Sequence, residues 1–261
     1  MIDAHIHLDW YQPAEREQLI NRLEVNGMIA VSNHLKSCKE VWQLAQQYPF
    51  VYPAFGWHPE QPLPSDQEID QILQLIEEKH QEIIAIGEVG LPYYTQREDP
   101  SLDPTAYRII LERFVQSAKQ YDLPIVLHAV YQDAVIACDL LEDYQIQRAH
   151  FHWFKGDQQT INRLIDNQYM ISITPDCWYE KEIQALIKRY PLELIMAETD
   201  GPWPFEGPFQ DQMTHPNMII EVIKKIAALK QLPAEEVQRQ VTNNTIEFYR
   251  IHEKNKQKWS E

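Results

Sequence analysis

Met1-Ile2-Asp3-Ala4-His5-Ile6-His7-Leu8 opens the chain and governs how the remainder is read. A β-strand has a side-chain period of two, so on a strand His5 and His7 leave one face while Ile2, Ala4, Ile6 and Leu8 leave the other. One face can chelate and the other can pack. Two imidazoles aimed into a dry core would leave ring nitrogens unsatisfied, a cost that a bound metal ion removes. The competing reading is a half-exposed first strand with solvated histidines, and the rest of the sequence decides between them.

The chain has 261 residues, 44% apolar and 24% charged, with 7 glycines and no Ser-, Gly- or Pro-rich tract that reads as a linker. α/β barrels of about 250 residues are routinely one domain, so a single domain over residues 1–261 is expected. No apolar run approaches the roughly 18 residues that cross a bilayer, and the N-terminus lacks the basic and apolar regions of a signal peptide. The expectation is a soluble, cytoplasmic protein with no membrane partner. Cys38, Cys138 and Cys177 are far apart and form no C-x-x-C pair, which argues against a disulfide framework or a thiolate zinc site. The net charge of −16 opposes an extended grip on nucleic-acid phosphates, so any nucleic-acid contact should be local.

Short β-branched and apolar runs fall at residues 2–8, 28–33, 51–57, 83–89, 124–128, 149–154, 170–174 and 194–200. Helical periodicity fills the intervals at 14–24, 40–47, 67–79, 105–121, 133–144, 158–167 and 181–189, and the chain finishes with helical patterns at 216–230 and 234–249. Successive strand starts lie about 20 to 40 residues apart, the length of a βα unit, which predicts an α/β fold of the TIM-type (β/α)8 barrel class. A doubly wound open sheet is the alternative, but no Gly-rich phosphate turn follows the first strand.

Several runs end in ionisable residues: Ile86-Gly87-Glu88-Val89, Val126-Leu127-His128, His150 with His152, and Glu198-Thr199-Asp200. In such a barrel these ends converge on one mouth, where active sites form. Glu88 follows four apolar residues and is an expensive intruder unless a cation or a hydrogen-bond network holds it. His150 and His152 share a face, but only one need bind metal; His152 lies nearer the mouth, leaving His150 to a packing or supporting role. Asp200 suits a metal ligand, a general base toward water, or both, against the alternative of a turn cap before Gly201-Pro202. His5, His7, Glu88, His128, His152 and Asp200 together supply four imidazoles and two carboxylates, a set suited to two divalent cations with open positions.

The order and spacing of six segments make the chain resemble the TatD-type metal-dependent hydrolases, a branch of the amidohydrolase-like barrels that includes deoxyribonucleases. They are Asp3-Ala4-His5-Ile6-His7-Leu8, Gly56-Trp57-His58-Pro59, Gly87-Glu88-Val89-Gly90-Leu91, Pro124-Ile125-Val126-Leu127-His128, His152-Trp153-Phe154-Lys155-Gly156 and Glu198-Thr199-Asp200-Gly201-Pro202. The resemblance implies a two-metal site in which His5, His7 and Asp200 serve one ion, His128 and His152 the other, and Glu88 bridges. It also implies that His58 faces substrate.

Four features bear on substrate. Pro92 stands where the family often has Asp, and His128-Ala129-Val130-Tyr131-Gln132-Asp133-Ala134 lacks the Arg that often follows the strand-5 histidine. Lys155 replaces a small polar residue and could supply a displaced positive charge. Trp203, in Gly201-Pro202-Trp203-Pro204-Phe205, adds aromatic bulk that could stack a base or exclude large substrates. The expected reaction is metal-assisted hydrolysis, with Asp200 and Glu88 catalytic, His58, Lys155 and Trp203 at the substrate, and Zn²⁺, Mn²⁺, Co²⁺, Ni²⁺ or Mg²⁺ as the ions. The expected substrate is DNA or a small phosphoester. The alternatives are a small amide or lactone, or a TatD-like subunit working inside a larger assembly.

Overall fold

Strands that run through the middle of a parallel sheet are covered on both faces, and their sequences are continuous apolar runs rather than alternating ones. In the computed structural model, which describes residues 1–252, all eight runs become buried strands, most of them continuously apolar and β1 alternating. They are β1 (Ile2–Ile6), β2 (Gly27–Ala30), β3 (Val51–Phe55), β4 (Ala85–Gly90), β5 (Ile125–His128), β6 (Ala149–Phe151), β7 (Met170–Ile173) and β8 (Ile195–Ala197). They lie side by side in chain order and every adjacent pair is parallel. The seam is drawn together at its mouth end, where Asp200 N–H donates to His5 O at 3.0 Å and His7 N–H donates to Gly201 O at 2.8 Å. Asp3 tightens the same seam by accepting the Thr199 N–H at 3.0 Å and the Thr199 hydroxyl. The result is a nearly closed TIM-type barrel.

The helices surround the sheet: α1 (Pro13–Asn21), α2 (Leu35–Gln47), α3 (Asp66–Lys79), α4 (Tyr93–Glu98), α5 (Pro104–Tyr121), α6 (Gln132–Asp143), α7 (Gln158–Asp166), α8 (Lys181–Arg189), α9 (Ile219–Lys230) and α10 (Ala234–Phe248). Their starts are written locally. Ser65 accepts the Glu68 N–H at the head of α3, Asp157 accepts the Thr160 N–H at the head of α7, and Pro104 follows the Asp103 cap of α5. Along α5, Tyr107, Leu111, Phe114, Val115 and Ala118 are buried, the spacing of one helix face turned to the sheet. No helix among the described residues is long and apolar enough to cross a membrane. Cys38, Cys138 and Cys177 are buried and unpaired.

Strands β6 and β8 end earlier than their apolar patterns do. Trp153 (φ 40°) and Asp200 (φ 48°) adopt left-handed backbone, so the chain leaves the sheet just beyond His152 and Glu198. Helix α4 lies in the β4–α5 connection, where no helical periodicity is visible, and its cause is remote. The Glu60 carboxylate accepts the N–H groups of Tyr94 at 2.9 Å and Thr95 at 2.7 Å, capping the helix from another loop.

Two glycines let the mouth close. A Cβ on Gly90 would sit 1.9 Å from the His128 carbonyl oxygen, and one on Gly56 would sit 2.5 Å from the Glu88 carbonyl oxygen. Backbone cannot yield as a flexible side chain does, so these residues allow the strands bearing Glu88 and His128 to approach. Gly90→Ala is therefore expected to destabilise the fold by about 2–3 kcal/mol through forced separation of β4 and β5. A urea midpoint equal to the parent's would contradict that close approach.

Candidate metal centre

The C-terminal strand ends and the turns just beyond them bring one cluster together. His5 lies on β1 and His7 immediately after it; Glu88 is on β4, His128 ends β5, His152 follows β6 and Asp200 follows β8. A shift in register between Ile86 and Val89 accompanies the placement of Glu88, whose N–H donates to Ser32 O at 3.2 Å. Its carboxylate is fully buried and divides its two oxygens between two sets of imidazoles. Oε2 lies 3.1 Å from His5 Nε2 and 3.2 Å from His7 Nε2. Oε1 lies 2.7 Å from His152 Nε2, 3.0 Å from His128 Nδ1 and 3.3 Å from His58 Nε2. Asp200 Oδ1 joins the first set, 3.5 Å from His5 Nε2 and 3.3 Å from His7 Nε2.

These residues fit a metal by their own unmet valences. Both ring nitrogens of His5, Nδ1 of His7 and of His152, Oε2 of Glu88 and Oδ1 of Asp200 are buried without a hydrogen-bond partner among the described residues. Close approach without hydrogen-bond alignment is costly for polar atoms and normal for ligands aimed at a common centre. Three overlapping groups have donor atoms near enough to share an ion: His5, His7 and Asp200; His5, Glu88 and His152; and His58, Glu88 and His128. The donors are imidazole nitrogen and carboxylate oxygen, the mixture that borderline divalent cations accept.

Among these side chains, the carboxylates favour the protonated form of two neighbouring imidazoles. Burial alone would push His7 down, but the adjacent Asp200 and Glu88 carry it up to about 10. His152 is likewise held well above its ordinary value, against burial, by Glu88 and Glu198. Glu88 stays ionised despite complete burial because His152, His58 and His5 surround it. His5 and His58 move the other way, lowered chiefly by burial.

Of the residues expected at the substrate, His58 lies inside the cluster. Lys155 and Trp203 flank it: Lys155 Nζ sits 4.0 Å from Asp176 Oδ2 and over the Trp153 ring, and the Trp203 ring meets the Trp153 ring edge-on at 5.9 Å. His150 stays outside, deeper in the barrel, between Tyr249 Oη at 2.7 Å and Ser172 Oγ at 2.6 Å. Sequence reading overlooked Glu60, which caps α4 and meets His128 Nε2 at 3.1 Å, a contact that helps hold its carboxyl at about 2 despite partial burial. It also overlooked Asp176, buried beneath Trp153 Nε1 at 2.6 Å and raised by burial to about 6. Glu198 was seen only as a companion of Asp200; it accepts the Trp153 N–H at 2.8 Å and the Ser172 hydroxyl. The position of Glu60 two residues after His58 was the available signal for it.

A parallel barrel with a His/Glu/Asp cluster at its strand ends defines the class of metal-dependent barrel hydrolases. The family model described as "TatD related DNase" matches residues 2–250, and the chain belongs to the TatD family of metal-dependent hydrolases. It is 42% identical over 252 residues to a Haemophilus influenzae protein described as an "Uncharacterized metal-dependent hydrolase", covering 96% of this chain and 100% of that one. It is 28% identical to the human protein named deoxyribonuclease TATDN3, over 95% of this chain and 94% of the relative. Among solved structures, YjjV, a TatD homologue from Escherichia coli, superposes with a TM-score of 0.84 at 27% identity, over 94% of this chain and 96% of that one.

Because ligating imidazoles must be neutral, and neighbouring carboxylates favour the protonated forms of His7 and His152, filling this cluster is expected to release protons. Metal affinity is therefore expected to rise with pH across the neutral range. Calorimetric titration with Zn²⁺ near pH 7, in buffers of different ionisation enthalpy, should show net proton release; a buffer-independent heat would refute this account of the cluster.

Proposed function

We propose that this chain, as one hydrolase domain over residues 1–261, holds two divalent cations and hydrolyses phosphodiester bonds in DNA or a small nucleotide-like ester. The observation that carries the two-ion reading is the division of labour at Glu88, with one oxygen toward His5 and His7 and the other toward His128 and His152. His5, His7 and Asp200 would hold one ion and His128 and His152 the other, with Glu88 shared. The 3.3 Å approach of His58 to Glu88 Oε1 puts its ring beside the second set, where it can also face substrate. Zn²⁺, Mn²⁺, Co²⁺, Ni²⁺ and Mg²⁺ are all compatible with these donors. When bound, such ions supply Lewis acidity and make water acidic enough to react near neutral pH.

The chain's own residues position and move protons. Asp200 is 7% exposed, and with its Oδ1 turned to the ligand set of His5 and His7, its other carboxylate oxygen would take the proton of the attacking water. Glu60 fixes the His128 ring from the far side, and Glu198, anchored by Trp153 N–H and Ser172, faces His152 Nδ1 at 3.6 Å. Lys155, beside Asp176, would add at most one partly offset positive charge near the phosphoryl group, and Trp203 an apolar wall. The human relative's name as a deoxyribonuclease supports this reading. A second reading, hydrolysis of a small amide or lactone, draws on the charge of Lys155 being offset by Asp176 and on the absence of Arg from residues 129–131.

A screen of the metal-reconstituted protein against DNA, small phosphodiesters, amides and lactones separates the readings. Phosphodiester turnover is expected, and Asp200→Asn should lower kcat by roughly 10²–10⁴-fold, the span of general acid–base catalysis. Turnover confined to amides or lactones would transfer the assignment to the second reading. Glu88→Gln should reduce the bound metal measured by elemental analysis from about two ions per chain, the stoichiometry of a bridged site; unchanged occupancy would sink the bridging role.

A further inference from the structure

Single exposed aromatic side chains are ordinary on protein surfaces, but clusters of them mark binding sites. Trp10, Tyr94 and Trp203 are 48%, 43% and 54% exposed, and no other Trp, Tyr or Phe among the described residues is exposed. All three stand around the Glu88 cluster. The Trp10 ring stacks on His7 with centroids 4.3 Å apart and planes 14° from parallel. The Tyr94 ring meets His128 edge-on at 6.2 Å, and Trp203 meets Trp153, the residue after His152, at 5.9 Å. They come from three different connections, after β1, β4 and β8.

Each is held out by its backbone. Trp10 ends the short 3₁₀ turn Leu8–Trp10, and Tyr94 rides on α4 where Glu60 accepts its N–H. Trp203 donates its N–H to Asp200 O at 3.0 Å while its carbonyl accepts the Thr214 hydroxyl. Flat apolar faces beside a cationic reaction centre suit a ligand that joins an ionised ester to a planar ring. The charge around the mouth points the same way: Lys155 lies beside Asp176, Glu60 faces His128, and the chain carries a net −16. Clamping of a phosphate chain by Lys and Arg would therefore contribute little, and the hold on a ligand beyond the ester itself falls to ring stacking.

We infer that Trp10, Tyr94 and Trp203 form a stacking rim that grips unpaired nucleobases on either side of the ester held at the cluster. The inference rests on the phosphodiester reading and deepens it. The ring can belong to a single-stranded chain end or to a small nucleotide ester, because both offer an unpaired base next to a phosphodiester. Paired bases inside a duplex do not.

The test is binding to the metal-loaded protein, followed by tryptophan fluorescence, of a short phosphorothioate oligothymidylate, its abasic counterpart, a dinucleotide and a duplex. Bases should quench the fluorescence, and the abasic strand and the duplex should each bind roughly tenfold or more weakly than the oligothymidylate. Tyr94→Ala and Trp203→Ala should each weaken oligothymidylate binding about fivefold or more, while Tyr94→Phe and Trp203→Phe retain it. Trp10→Phe against Trp10→Ala extends the series, with the Phe variant guarding against disturbance of His7. Raising salt tenfold should cost no more than about tenfold in affinity, the slope of one or so phosphate contacts.

Equal binding of abasic and base-bearing strands, indifference to the Ala substitutions, or a steep salt slope would overturn the rim. Base-dependent binding without cleavage of any phosphodiester would uphold the rim and sink the hydrolytic reading. Equal cleavage of abasic and base-bearing strands would do the reverse. A dinucleotide that binds as tightly as the longer strand identifies the small ester as the source of the ring; tighter binding of the longer strand identifies the chain end.

Discussion

A carboxylate buried without solvent among five imidazoles is the constraint on which this architecture turns. Glu88 could not remain ionised at the centre of a barrel unless compensated on both oxygens. The compensation comes from His5, His7, His58, His128 and His152, all within 3.3 Å of it. Ring nitrogens and carboxylate oxygens of the cluster are buried without a hydrogen-bond partner among the described residues, as suits donors that could hold a cation. The same atoms that would be a liability in a dry core are what make the barrel mouth chemically useful.

Holding that carboxylate imposes demands on distant parts of the chain. Five strands or their immediate continuations must end at one level, which the parallel order of β1 to β8 supplies. The seam between β1 and β8 has to be fixed, since His5 and Asp200 sit on either side of it; Asp3 and Thr199 fix it from below the ligands. Glycines at positions 56 and 90 remove the side chains that would hold neighbouring strands apart. Glu60 couples His128 to α4, so the ring of His128 and the rim residue Tyr94 depend on one carboxylate.

For an acidic chain, the proposed action on anionic esters requires attraction at the reaction centre to be separated from repulsion elsewhere. Charge fields act over about a Debye length, near 8 Å at physiological ionic strength, so a compact cationic centre can draw an ester that the distant surface repels. Asp176 beside Lys155 shifts the balance near the mouth further from phosphate clamping and toward contacts that carry no charge. Exposed aromatic faces are such contacts, and their placement on three separate connections matches a ligand that extends past the reacting group on more than one side.

Much of this was legible in the residues themselves. The eight apolar runs, the helical intervals and the polar strand ends are local signals, since burial on both faces forces continuous apolar strands and parallel winding puts their C-terminal ends together. His5, His7, Glu88, His128, His152 and Asp200 could be chosen because each interrupts or ends an apolar run, where an ionisable group requires a reason. Glu60 could not be chosen in this way. It lies in a polar loop, and its two partners, α4 and His128, are brought to it only by folding. Helix α4 escaped for the same reason, because its cap comes from more than thirty residues away. The early ends of β6 and β8 coincide with left-handed turns at Trp153 and Asp200, which the apolar patterns do not announce. Sequence determined which side chains could ligate, because burial chemistry is local; tertiary structure decided how Glu88 divides its oxygens and which aromatics surround it, because those depend on distances between loops that no local pattern encodes.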